Sequence, residues 1–254
     1  MKIEAVVTCV NYADFLAHTL PFNRPVFDRL VVVTTPDDRT TQEVCRFWDV
    51  ECIPSRAFTD RGPFCKGAGI NAGLAALSRT DWLVHMDADI ALPPRARRVL
   101  KGAELDPTCL YGIDRTMCRS HAEWMEFLTN PSPQHEQNVF VHPGRFPVGT
   151  RVAKDEHGGY VPIGFFQLFH ANAGFSRYPE EHTDAARSDM LFALQWPRRR
   201  RLLLPELFAY HLESGSLAMG TNWSGRVSPR FGPPIVESQP VVVSATGYEV
   251  VSSS

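Results

Sequence analysis

Trp82-Leu83-Val84-His85-Met86-Asp87-Ala88-Asp89-Ile90 is an apolar run that ends in two carboxylates one residue apart. A run of this length bounded by polar residues has the form of a buried central strand. Asp87 and Asp89 then fall at its carboxyl end, the edge at which open α/β sheets bind their ligands. Alternate residues of an extended backbone point the same way, so both carboxylates can face one site. Two hard oxygen donors there suit Mg²⁺ or Mn²⁺, which in turn can hold the phosphates of a nucleotide. Asp-x-Asp also arises by chance, and two aspartates that merely solvate a strand terminus are the competing reading.

The residues before this stretch alternate strand and helix signals. Residues 3–10 and 30–35 are β-branched runs, and 50–53 is a short strand. Residues 12–20 fit a helix that Pro21 stops, and 40–48 fit a second helix. Residues 67–77 carry small and apolar side chains at helical spacing and lead into the Asp-x-Asp strand. Pro93-Pro94 then opens a further helix, with proline in its favoured first-turn place. This alternation predicts an α/β fold with a mostly parallel, twisted sheet flanked by helices. Beyond about residue 115 the pattern loosens. Residues 121–130 read as a helix, whereas 131–159 are rich in Pro, Gly, His and charge, a long loop of the kind that is functional or disordered. Periodic signals return at 160–170, 184–196 and 202–211, and 240–245 has the composition of an edge strand. His121, His135, His142 and His157 lack metal-ligand spacing and read as surface residues.

With 254 residues, 44% hydrophobic and 21% charged, the chain has the composition of a soluble globular protein. A net charge of −2 gives no general pull toward nucleic acid or anionic membrane. The local basic runs, Arg95 to Lys101 and the four arginines 198–201, read as a solvated helix face and an exposed turn. Six scattered cysteines without a Cys-x-x-Cys pair argue against a zinc ribbon and against a disulfide scaffold. There is no signal-peptide pattern and no apolar stretch approaching the ~20 residues of a membrane span. A reduced, cytoplasmic location is the expectation.

Taken together, the motifs resemble those of a GT-A fold nucleotide-sugar glycosyltransferase, nearest to glycosyltransferase family 2. Four features carry the resemblance, and their order and spacing count for more than any one of them. Val6-Val7-Thr8-Cys9-Val10-Asn11-Tyr12 is like the family's strand-to-loop segment that holds the nucleoside. Asp37 and Asp38 end the second strand where the family places an acid on the base or ribose. Lys66-Gly67-Ala68-Gly69-Ile70-Asn71-Ala72-Gly73-Leu74 is like the family's glycine and asparagine helix, and Asp87-Ala88-Asp89 matches its Asp-x-Asp motif. The resemblance implies one GT-A-like domain over residues 1–231, with a Rossmann-like nucleotide-sugar half (about 1–115), an acceptor half (about 116–231) and a tail at 232–254. It implies donor contacts from Thr8, Asn11, Asp38, Lys66, Asn71 and Asp87, and a mobile donor loop at 60–63. Plainer roles stand beside these. Asn11 can cap the following helix, Asp38 can fix a turn, and Gly67, Gly69 and Gly73 can simply permit close packing. Lys66 is the more suggestive residue, since a cation at a small-residue helix start is placed to meet a diphosphate.

In the second half, Gly174-Phe175 and Ser188-Asp189-Met190-Leu191-Phe192 resemble the segment where inverting members carry their base. Ser188 stands where the family's first acid is usual. Asp189 is the implied base, with Asp184 as runner-up; a favourable charge at a helix start is the alternative for Asp189. Ala209-Tyr210-His211-Leu212-Glu213-Ser214 resembles the strand end that supplies a third metal ligand, which makes His211 the candidate beside Asp87 and Asp89. Arg226, on the loop that also carries Trp223, is placed to close over the diphosphate, and Trp223 either stacks on a sugar or anchors the loop.

The implied chemistry is transfer of a sugar from a nucleoside-diphosphate sugar to an acceptor hydroxyl, dependent on Mn²⁺ or Mg²⁺, with the acceptor unspecified. The segment 121–160 is the expected acceptor reader. Walker, nucleophile-elbow and dinucleotide fingerprints are absent from the sequence. Two other classes share parts of this pattern. A sugar-1-phosphate nucleotidyltransferase normally has a basic glycine-rich loop after the first strand, which Cys9-Val10-Asn11-Tyr12 lacks. A non-catalytic nucleotide-sugar-binding module would not need Asp189.

Overall fold

The computed structural model describes residues 1–60, 62, 64–129, 151–152, 160–175, 177–182, 187–214, 226, 228–233, 242–244 and 247–249. Its strands are β1 (Ile3–Thr8), β2 (Arg29–Thr34), β3 (Glu51–Pro54), β4 (Trp82–Asp87), β5 (Ile90–Ala91), β6 (Leu110–Cys118), β7 (Arg151–Val152), β8 (Tyr160–Val161), β9 (Phe166–His170), β10 (Arg201–Leu212), β11 (Val242–Ser244) and β12 (Gly247–Glu249). The helices are α1 (Ala13–Asn23), α2 (Arg39–Phe47), α3 (Lys66–Ala76), α4 (Ala96–Gly102), α5 (His121–Thr129) and α6 (Ser188–Ala193).

Eight strands form one sheet in the order β3-β2-β1-β4-β9-β6-β10-β5. β3, β2, β1 and β4 pair in parallel. β9 runs antiparallel between β4 and β6, and β10 is again parallel to β6. The α/β expectation of a mostly parallel sheet is met, with β9 and β5 as its reversed strands. Both faces of the central strands are covered, which is why their sequences are continuous apolar runs rather than alternating ones. Ile3, Ala5 and Val7 pack with Leu16 and Leu20 of α1 and Val44 of α2, while Val6 packs with Ile70 and Leu74 of α3.

Small residues let α3 lie close to the sheet. A Cβ on Gly73 would come within 2.4 Å of Val6 Cγ1 and 2.7 Å of Val33 Cγ2, and one on Gly69 within 2.0 Å of the Phe58 ring. The glycines of the Lys66–Ala76 segment are therefore packing devices, whatever else the helix does.

Four sequence expectations need correction. Pro21 does not stop α1, which continues to Asn23. The lost backbone hydrogen bond is outweighed there by Asn23, whose side chain donates to Ile90 O (2.6 Å) and accepts from Leu92 N (2.9 Å). The strand β6 had no counterpart in the sequence reading, because Asp114-Arg115 interrupts its apolar pattern. Residues 160–170 divide into β8 and β9 rather than forming one element. Val242–Ser244 is a strand, but it pairs with Gly247–Glu249 in a separate two-stranded sheet instead of edging the large one. The cysteines are free, and all but Cys52 are buried. Among the described residues no helix is long and apolar enough to cross a membrane.

Gly73→Ala tests the α3 contact. Overpacking costs about 1–3 kcal/mol, against roughly 1 kcal/mol that alanine gains over glycine inside a helix. Urea denaturation is expected to show a net loss of up to about 2 kcal/mol, with the folded spectrum retained.

Candidate active site

The chain leaves β1 toward β2 and β3 on one side and later returns to lay β4 on the other. That reversal opens a crevice at the carboxyl ends of β1 and β4, the place where open α/β sheets take their ligands. Thr8, the buried last residue of β1, is in register with Asp87, the last residue of β4. The turn that follows β4 is held from α1. Thr19 donates to Ala88 O (2.7 Å), and Asn23 bridges Ile90 and Leu92. These two buried residues lie four apart on one helix face and were not singled out from the sequence. Their polarity at that spacing, in a helix otherwise buried, is the signal that marks them.

Charge converges at this crevice. Lys66 opens α3, is 8% exposed, and puts Nζ 2.6 Å from Asp87 Oδ1. A cation at a helix N-terminus is misplaced with respect to the helix dipole, so the carboxylates must hold it. Burial opposes charge on Lys66, but Asp87, Asp189 and Asp89 outweigh it and raise its pKa above the ordinary range. Asp87 is raised too, by burial and by Asp89 and Asp189 against the pull of Lys66. Three carboxylates, Asp87, Asp89 and Asp189, meet one ammonium and one guanidinium here, a surplus of negative charge that favours a bound cation. Asp89 is lowered, since His211, Lys66 and Arg115 together overcome its burial. His211 Nε2 lies 3.3 Å from Asp89 Oδ2, and Arg115 Nη1 lies 2.7 Å from His211 Nδ1.

One oxygen of this cluster, Asp89 Oδ1, is buried with no hydrogen-bond partner. A buried carboxylate oxygen left bare is costly unless a cation or a donor meets it. Together with the surplus negative charge, that is what a divalent-cation site requires, so Asp87 and Asp89 fit the ion. Among the described residues no group of three or more His, Cys, Asp or Glu side chains is assembled for a metal.

Asp189 lies in the first turn of α6, near enough to Lys66 and Asp87 for its charge to act on both. Its Oδ2 accepts from Gly164 N (2.6 Å) and its Oδ1 from Met190 N (2.7 Å), which fixes the carboxylate plane. A Cβ on Gly164 would stand 2.4 Å from Asp189 Oδ2, so only glycine admits the side chain there. Ser188 is fully buried beneath Gly67, at the start of α3. Asp184, Trp223 and the histidines at 135, 142 and 157 lie outside the described residues. Of the loop at 60–63, residues 60 and 62 are described.

Several residues expected on the donor are engaged with the protein. Asp38 caps α2, taking Thr41 N on Oδ1 and Thr34 Oγ1, Thr41 Oγ1 and Asn11 N on Oδ2. It thereby braces Asn11, which sits at φ 59° in the loop after β1. Asn71 clamps the segment before α6, bonding Tyr178 N, Tyr178 O and Glu180 Oε1. Arg226 forms a bidentate pair with the buried Asp14 of α1 (2.5 and 2.8 Å). Its remaining bonds run to Asn11 O, Ser228 O and Pro229 O, and the guanidinium lies over Tyr12. Closure over a diphosphate would require it to leave Asp14.

His85 is a further residue the sequence reading passed over. It is fully buried in β4, 3.9 Å from Asp87 Oδ1, with its ring edge-on to Tyr178. Burial and Lys66 push its pKa well down, so it is a neutral ring.

No family model and no curated protein matches the chain. Solved structures that overlap with it include mannosyl-3-phosphoglycerate synthase from Rubrobacter xylanophilus, at 16% identity over 85% of this chain and 68% of that one, with a TM-score of 0.47. Glucosyl-3-phosphoglycerate synthase from Mycobacterium tuberculosis, in complex with Mn²⁺ and uridine-diphosphate-glucose, overlaps at 14% identity over 85% and 72%, TM-score 0.47. A 4-diphosphocytidyl-2C-methyl-D-erythritol synthase overlaps at 18% identity over 81% and 90%, TM-score 0.44. At such identity and overlap the likeness assigns neither substrate nor residue roles to this chain.

Arg226→Ala separates anchoring from ligand closure. Removing one partner of a buried ion pair leaves an uncompensated charge, a loss of about 3 kcal/mol. The variant is expected to melt lower than the parent with no nucleotide present. A melting temperature equal to the parent's would show that the Asp14 pair is not a stabilising anchor.

Proposed function

We propose that this chain is a metal-dependent glycosyltransferase that moves a sugar from a nucleoside-diphosphate sugar to an acceptor hydroxyl with inversion. The observation that carries this reading is the convergence of Asp87, Asp89, Lys66 and Asp189 on one crevice at the sheet's switch point. Asp87 and Asp89, with His211 as the third donor, would hold Mn²⁺ or Mg²⁺, which when bound would neutralise the diphosphate leaving group. Lys66 adds a fixed positive charge beside it, preorganised because burial and Asp87 hold its ammonium in one place. Thr8 and the Asn11 loop, braced by Asp38, form the floor on which the nucleoside rests. Asp189 takes the proton from the acceptor hydroxyl as that oxygen bonds to the anomeric carbon and the bond to the diphosphate breaks. The amides of Gly164 and Met190 keep its carboxylate in one orientation for that step. Inversion in a single displacement asks for no protein nucleophile. The segment 121–160 is the proposed acceptor reader.

Incubation with a panel of nucleotide sugars and Mn²⁺ tests the class. Release of nucleoside diphosphate supports the transferase. Pyrophosphate formation would instead mark a nucleotidyltransferase, and neither product a binding module. Asp89→Asn is expected to abolish Mn²⁺-dependent donor binding with the fold intact, read by calorimetry and circular dichroism. Unchanged donor affinity would remove Asp89 from the site.

Asp189→Asn is expected to retain donor binding and to lower turnover at least a hundredfold, as loss of a general base does. If Asp184→Asn behaves that way and Asp189→Asn does not, Asp184 is the base.

A further inference from the structure

We infer that Arg115 is a built-in competitor of the metal: it locks His211 in the one tautomer that cannot ligate through the nitrogen facing Asp89. The inference rests on the metal-dependent reading above and adds a positioning residue to it. Arg115 Nη1 is 2.7 Å from His211 Nδ1. A guanidinium has donors and no acceptor, so Nδ1 must be the acceptor of that bond and carry the ring's lone pair. The hydrogen of the neutral imidazole is then on Nε2, which points at Asp89 Oδ2 across 3.3 Å. Asp89 therefore receives a hydrogen bond from the ring where a metal-bound ring would offer a lone pair.

A metal ligand needs the opposite arrangement. Histidines on metals usually donate their other ring N–H to a carboxylate or a carbonyl, which fixes the ligating tautomer. Here the second partner is a donor, so the ring can ligate through Nε2 only after its hydrogen moves to Nδ1 and Arg115 withdraws. Arg115 is held in place by more than this bond. Its guanidinium lies 4.7 Å from the centroid of the Phe165 ring, and it is attracted to Asp89. It sits on β6, directly opposite Ala209 of β10, two residues before His211. Strand pairing thus sets the register that brings guanidinium and imidazole together.

Two measurements on the metal-free, full-length protein test this. Long-range ¹H–¹⁵N correlation spectra of histidine-labelled protein are expected to show His211 with its hydrogen on Nε2, and Arg115→Met is expected to shift the ring toward the Nδ1–H form. Titration with Mn²⁺ alone is expected to show about tenfold tighter binding in Arg115→Met, the size of one hydrogen bond to a charged group. That gain is expected to vanish in a His211→Ala background, because the effect acts through the ring. A gain of the same size in that background would assign it to the removed positive charge and overturn the lock. So would a wild-type ring protonated on Nδ1, or an Mn²⁺ affinity that Arg115→Met leaves unchanged. If neither protein binds Mn²⁺ at all, the metal-dependent reading and the competition fail together, while the spectra still decide whether Arg115 sets the tautomer. Should Arg115→Met fail to fold, Arg115→Gln serves both measurements, since its amide oxygen can accept from Nδ1–H.

Discussion

The parallel pairing of β1 with β4 is the constraint on which the rest of the molecule depends. It is long-range pairing, joining residue 8 to residue 87 and holding Thr8 level with Asp87. Once those strands are neighbours, the connections after each must diverge, and a crevice opens between them. Everything polar at the site is arranged about that opening. α1 supports the turn carrying Asp89 through Thr19 and Asn23, and α3 delivers Lys66 from the opposite face. α6 brings Asp189 under Gly164. No single loop makes the site, so its geometry is set by packing of the whole sheet rather than by local turn chemistry.

The energetics of the crevice are those of a cluster short of positive charge. Asp87, Asp89 and Asp189 surround one ammonium, and Arg115 reaches Asp89 chiefly through His211. In a sheet otherwise covered on both faces, such a concentration of carboxylates is unfavourable for folding alone. Sites of this kind trade stability for an environment in which a charged ligand is met by groups already in position. The surrounding protein compensates with tight packing. α3 sits as close to the sheet as its glycines allow, and Tyr178 stacks on Phe192 at 3.8 Å.

How far this was legible in the sequence depended on the reach of the interactions. β1, β2 and β4 were readable because burial on both faces makes them continuous apolar runs, and the Asp-x-Asp pair was readable because β4 ends there. Lys66 could be picked out because it starts a helix of small residues. β6 was not, since Asp114 and Arg115 break its apolar pattern, Arg115 reaching His211 instead of the core. Residue roles were harder than positions. The visible bonds of Asp38 and Asn71 brace the protein, Asn71 to partners more than a hundred residues away. Asp14 gave no signal at all, because its partner Arg226 is 212 residues distant. Sequence shows where a carboxylate falls in an element, not which distant group will neutralise it.

The Asp14 anchor also imposes an order on biosynthesis. Asp14 is 5% exposed in the folded chain, and its carboxylate is satisfied by Arg226 and by the amide of Phe231. At about 5–20 residues per second, the ribosome delivers those partners roughly 10–40 s after Asp14 has been made. Throughout that interval α1 cannot bury its first turn without stranding a bare charge. The helix that supports the turn after β4 is thus made long before the partners that let it settle. A nascent chain has to keep this end of its sheet open to water until residues 226–231 have been made.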